Sequence, residues 1–151
     1  MREKATRTLE GLTSAAAEGD PEERLRRFIA AYWRHLRRPA FGAMYRLLLT
    51  ELPQSPELAR FYATEVSGKV IQLCSAIVRE GVDRKRFRAV EPETASRMIV
   101  ALLIQHAIWT SRPELFPHVA GADTDDILSQ ITDFALHALA PARGGGRRSA
   151  T

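Results

Sequence analysis

SPELARFYATEVSGKVIQLCSAIVREG (residues 55–81) and EPETASRMIVALLIQHAIW (residues 91–109) decide the fold of this chain. The first opens with an N-cap serine, a first-turn proline and a glutamate placed for the positive end of a helix. Leu58, Tyr62, Val66, Val70, Leu73 and Ile77 then recur at helical spacing until Glu80-Gly81 stops them. The second segment opens on Glu91-Pro92-Glu93-Thr94, and from Met98 to Trp109 only Gln105 and His106 interrupt its apolar residues. A helix with so narrow a polar face needs cover on more than one side, so this one is expected to meet a partner chain.

The same signals extend in both directions. Residues 2–17 favour a weakly amphipathic helix with Leu9 and Leu12 as its only large apolar residues, ended by Glu18-Gly19. Asp20-Pro21-Glu22-Glu23 starts the next, which carries Leu25, Phe28, Ile29, Tyr32, Trp33 and Leu36 along one side and ends at Pro39. A shorter helix over about 40–52 carries Phe41, Met44, Tyr45, Leu47, Leu48 and Leu49. Beyond the break at Arg112-Pro113, Asp123-Thr124-Asp125-Asp126 opens a last helix with Ile127, Leu128, Ile131, Phe134, Ala135, Ala138 and Leu139, closed by Ala140-Pro141. No segment alternates with period two. The expectation is an all-α bundle of about six helices in a single domain, residues 1–140, followed by a disordered basic tail, 141–151.

Composition narrows the function classes. A chain of 151 residues supports one domain with a real core. The formal charge of +4 invites a nucleic-acid reading. Arg143, Arg147 and Arg148 lie in the tail with no acid after Pro141, which leaves the body near neutral. The N-terminus lacks the apolar core of a signal peptide, and the longest apolar run is shorter than the roughly 20 residues that span a bilayer. No membrane association is expected. Cys74 is the only cysteine, which excludes an internal disulfide and fits a reducing, cytoplasmic compartment. The preference for arginine over lysine points to a GC-rich bacterial genome.

No catalytic set emerges. His35, His106, His118 and His137 lie on separate elements without metal-ligand spacing, the glycines at 144–146 precede no helix, and no strand-to-helix elbow presents a serine. No catalytic residue, metal site or cofactor is expected. Cys74 sits among Leu73, Ile77 and Val78 and reads as inert packing. The arginines between Arg24 and Arg38 read as a solvated face. The aromatics of the middle helices carry more: Tyr32, Trp33, Phe41, Tyr45, Phe61 and Tyr62, with Met44 and Trp109, are the flat, polar-tipped side chains that line an apolar ligand pocket. Each taken singly also fits a core position. His106 has two readings, a ligand-facing imidazole or a satisfied core histidine.

In order and spacing, Asp20 to Leu25, Pro56 to Tyr62, Arg79-Glu80-Gly81-Val82 with Phe87-Arg88, and Pro92-Glu93-Thr94-Ala95 before the apolar helix together resemble the C-terminal regulatory domain of tetracycline-repressor (TetR) family transcriptional regulators. The resemblance spans roughly residues 1–139. It implies a helical domain that binds a small apolar or amphipathic effector among its central helices and homodimerises through its last two. The implied ligand set is Tyr32, Trp33, Phe41, Met44, Tyr45, Leu48, Tyr62, Val66, Val70, His106 and Trp109. The implied dimer face is Met98, Ile99, Leu102, Leu103, Ile127, Leu128, Ile131, Phe134, Ala135 and Ala138, an isologous four-helix contact. Residues 2–17 resemble the family's connecting helix. Family members carry a helix-turn-helix unit before it, which this sequence does not contain, so DNA contact is expected only through such a unit. An alternative is an interaction module that forms heterodimers with full-length regulators and needs no ligand.

Overall fold

The computed structural model describes residues 2–142, with side chains from Thr6 onward. The helices are α1 (Arg2–Ala15), α2 (Pro21–Leu36), α3 (Pro39–Glu51), α4 (Pro56–Tyr62), α5 (Gly68–Asp83), α6 (Pro92–Ser111) and α7 (Thr124–Leu139). Short 3-10 turns at Leu52–Gln54 and Pro117–Val119 bend the connections. A π turn, Ala63–Ser67, joins α4 to α5 without a break, so the chain is an all-α bundle of six helices when that pair counts as one. The basic tail falls, from residue 143 onward, outside the described residues.

Four of the starts are fixed by caps that the sequence supplies. The side chains of Asp20, Ser55, Glu91 and Asp123 accept amide hydrogens from the first turns of α2, α4, α6 and α7, satisfying donors that have no intrahelical acceptor. The α5–α6 corner is built from Gly81, whose carbonyl accepts the amides of Arg86 at 2.8 Å and Phe87 at 2.9 Å. A Cβ at Gly81 would sit 2.0 Å from the Phe87 ring, so glycine there lets the buried phenyl close over the helix end.

The core is centred on α2, α5 and α6. Leu25, Phe28 and Ile29 of α2, Cys74, Ile77 and Val78 of α5, and Leu103 of α6 are fully buried, with Leu12 and Ala16 of α1 and Ile131, Ala135 and Leu139 of α7 packed around them. Arg24 ties three elements together: its Nε donates to the Ala16 carbonyl at 2.7 Å, and its guanidinium pairs with Glu80. Arg88 holds the end of α7, its backbone amide donating to Leu139 at 2.8 Å and its side chain to the Ala138 carbonyl. Arg26 pairs with Glu22 at 3.2 Å, and Arg37 donates to Thr110 at 3.0 Å while lying 5.9 Å from the Trp33 ring centroid. Arg26, Arg27, Arg34, Arg37 and Arg38 are all exposed, so these contacts lie on a solvated face, as the sequence suggests.

The π turn is the one irregularity inside a helix. The Gly68 amide bonds to the Ala63 carbonyl, five residues back. A Cβ at Gly68 would lie 2.6 Å from that same oxygen, which is why the wide turn closes on a glycine. One residue is thereby added to the turn, and α4 is rotated about 100° relative to an uninterrupted continuation of α5.

Candidate functional site

A ladder of rings begins on α2 and crosses to α3. Phe28, Tyr32 and His35 follow at helical spacing, with Phe28 and Tyr32 stacked at 5.9 Å between centroids and Tyr32 and His35 at 6.3 Å. His35 then meets the edge of Phe41 at 6.0 Å, and Phe41 stacks on Tyr45, one turn along α3, at 5.8 Å. Such offset and edge contacts are the preferred geometries of aromatic pairs. Tyr62 stands on α4, partly buried, and no ring contact joins it to the ladder among the described residues.

The environment keeps these groups neutral. Burial first, then the neighbouring Tyr62, raises the Tyr32 phenol above its ordinary range, and burial followed by Tyr45 raises Tyr62. Burial, then the nearby Arg38, lowers His35 below the usual imidazole value. His35 also reaches α1, its Nδ1 lying 3.3 Å from Thr8 Oγ1. Cys74, beneath the ladder, is pushed up to about 12 by burial against the opposing hydrogen bond with Ser96, and so is a packed thiol rather than a nucleophile.

Of the pocket residues implied by the sequence, Tyr32, Trp33, Phe41, Leu48 and Val70 are buried, and Met44, Tyr45, Tyr62 and Val66 are partly buried. Ring contacts bring Tyr32, Phe41 and Tyr45 together. They place His106 and Trp109 in a second cluster at the far end of α6, where Trp109 lies 5.0 Å from both His106 and His118 and 6.4 Å from Phe116. His106 Nδ1 donates to the Leu102 carbonyl at 2.9 Å, which leaves Nε2 as the ring's acceptor while it is neutral. Phe28, His35, Phe116 and His118 are members that the sequence reading missed. The i, i+4, i+7 spacing of Phe28, Tyr32 and His35 was the available signal for two of them. Phe116 and His118 depend on the loop folding back, which leaves no local pattern.

Two open depressions lie elsewhere. One of about 460 Å³ is bounded by Asp20, Glu22, Glu23, Arg26 and Arg86, the other, of about 530 Å³, by residues of α1 with Ala17 and Lys69. Neither takes in the ladder. No side chain of α4 is buried, and of α3 only Phe41 and Leu48 are.

The implied dimer face divides into two groups. Ile99, Leu103, Ile131 and Ala135 are buried in the chain's own core. Leu102, Ile127 and Leu128 are partly covered, while Met98, Phe134 and Ala138 are exposed, Met98 by 64% and Phe134 by 65%. Both large side chains project from helices that pack on each other. Among the described residues, no helix is long and apolar enough to cross a membrane.

No curated protein and no solved structure matched the chain. A family model did, over residues 15–127, a span that takes in the ring ladder, the π turn and all of α6: the chain belongs to the tetracyclin repressor-like C-terminal domain family and is a regulatory domain of that kind.

Proposed function

We propose that this domain senses a small apolar or amphipathic effector between α2 and the α3–α4 arm, and homodimerises through the outer faces of α6 and α7. The observation that carries the sensing half is the ring ladder, which runs from α2 onto α3, the first helix of an arm with few buried residues. An effector inserted there parts the rings of α3 from those of α2, and the π turn supplies a ready site of adjustment, as such turns often do beside functional sites. The response reaches α1 through His35, whose ring is stacked in the ladder and whose Nδ1 faces Thr8. A shift of the ladder changes the seating of α1, a population shift between two packed arrangements.

The exposed Met98 and Phe134 supply an apolar patch for a second copy, with Leu102, Ile127 and Leu128 at its margin. Native mass spectrometry of protein purified from its host tests the sensing half, with bound small-molecule mass expected and its release expected on mutating Tyr45 or Phe41 to alanine. Light scattering tests the other half: a folded monomer at micromolar concentration overturns the dimer.

A further inference from the structure

We infer that a second copy seats on α6 so that Gln105 meets Gln105 of the partner subunit, and that this reciprocal amide pair fixes which chain, and in which register, the outer face accepts. This deepens the dimer proposed above and rests on it. Gln105 is exposed and stands inside the apolar run from Met98 to Trp109. Met98, Ala101, Leu102, Ile108 and Trp109 lie within about 60° of it around the helix, so it occupies the middle of an otherwise apolar outer stripe. Met98 and Ala101 are exposed with it, and Leu102, Ile108 and Trp109 are partly buried.

The other polar side chains of α6 are satisfied within the chain. Glu93 and Thr94 hold Arg97, His106 Nδ1 donates to the Leu102 carbonyl, and the hydroxyls of Ser96, Thr110 and Ser111 donate to carbonyls of the preceding turn. Gln105 alone among them makes no hydrogen bond with another described residue. A chain that covers Met98 and Leu102 also takes water from Gln105, and an enclosed amide without a partner is costly. An amide carries both donor and acceptor, so two copies related by a two-fold axis satisfy each other, each Nε2 donating to the other's Oε1. On α7 the amide of Gln130 is already engaged, its Nε2 donating to Asp126 at 2.8 Å, which leaves Gln105 as the free amide of the two helices. A single polar residue in an apolar helix seam sets register and partner in this way. A foreign chain with an apolar residue at this place would leave the amide unpaired, so the face favours its own copy.

Sedimentation velocity of Gln105→Glu and Gln105→Lys, each alone and mixed one to one, tests the pairing. Each alone is expected to dissociate at least about tenfold more readily than the unaltered chain, because like charges would meet in the contact. The mixture is expected to recover dimers that hold one chain of each kind, read by a mass tag on one of them. Circular dichroism is expected to show both variants folded, because Gln105 is exposed in the monomer. Single variants as dimeric as the unaltered chain, or single variants that separate and do not recover on mixing, overturn the pairing and leave the dimer standing. An unaltered chain that sediments as a folded monomer removes the dimer itself and the pairing with it.

Discussion

The body made by α2, α5, α6 and α7 and the arm made by α3 and α4 are both built from apolar helices, but they bury different shares of what they carry. In the body, Leu25, Phe28, Ile29, Ile77, Val78 and Leu103 are fully enclosed and the helices pack along one another. In the arm, Leu47 and Leu49 remain 46% and 60% exposed, and the closest neighbours of α4 are the turns at its own two ends. A segment that buries little apolar surface opens at lower free energy than the global unfolding of its protein. The contrast separates a body that holds the fold from an arm that, on the reading proposed above, is the part that adjusts.

The largest expected effect comes from cutting the body where the sequence alone left its partner ambiguous. Leu103→Ala removes a side chain with no exposure in the monomer and is expected to destabilise the fold by about 2–5 kcal/mol. Leu58→Ala on α4, partly buried, is expected to cost under about 1 kcal/mol, consistent with its lesser burial. Urea midpoints of the two variants decide it. Equal destabilisation would remove the distinction between body and arm.

Phe134→Arg addresses the outer surface of the body. Because the ring is 65% exposed, the charge is tolerated in the monomer, and the loss is expected in association: about 2 kcal/mol or more, roughly 30-fold in the dimer constant. Light scattering reads the mass and circular dichroism the fold. Unfolding instead of dissociation would show that Phe134 is held by its own chain.

Gly68→Ala tests the joint between the regions. The added Cβ cannot share space with the Ala63 carbonyl, so the π turn is expected to give way to ordinary α-helix, rotating α4 and the side chains it carries. Stability should change by less than about 1 kcal/mol, because the greater helix preference of alanine offsets the poorer seating of an arm that is lightly packed to begin with. An unchanged crystal or NMR structure of the variant would show that the turn does not depend on glycine.

What was legible in the sequence was whatever is encoded locally. The caps at Asp20, Ser55, Glu91 and Asp123 are side chains acting on amides two or three residues away, so spacing alone reveals the helix starts. Periodicity likewise shows which side of each helix is apolar. It does not show what covers that side: Leu103 and Met98 both belong to the apolar run of α6, yet one faces the core and the other solvent. The π turn is invisible because a one-residue slip leaves the apolar residues on both sides at helical spacing. His106 and Trp109 have the character of pocket residues, but the loop after α6 brings Phe116 and His118 against them, a meeting with no local signature.

The smallest effect is a dependence on pH where arm, body and α1 meet. His35 is lowered from its ordinary value chiefly by burial, so the folded chain binds its proton less readily than the unfolded chain does. Unfolded protein then holds more protons as the pH falls through the ordinary imidazole range, and stability declines with it. The contribution is fully present above the unfolded value near 6.5, is lost progressively as the pH drops toward the lower folded value, and levels off below that. In His35→Gln the group cannot titrate, so the fall in urea midpoint between about pH 7.5 and 5.5 is expected to be smaller than in the unaltered chain. If the two chains lose stability in parallel, His35 is solvated in both protonation states and cannot join the ladder to Thr8 as the geometry requires.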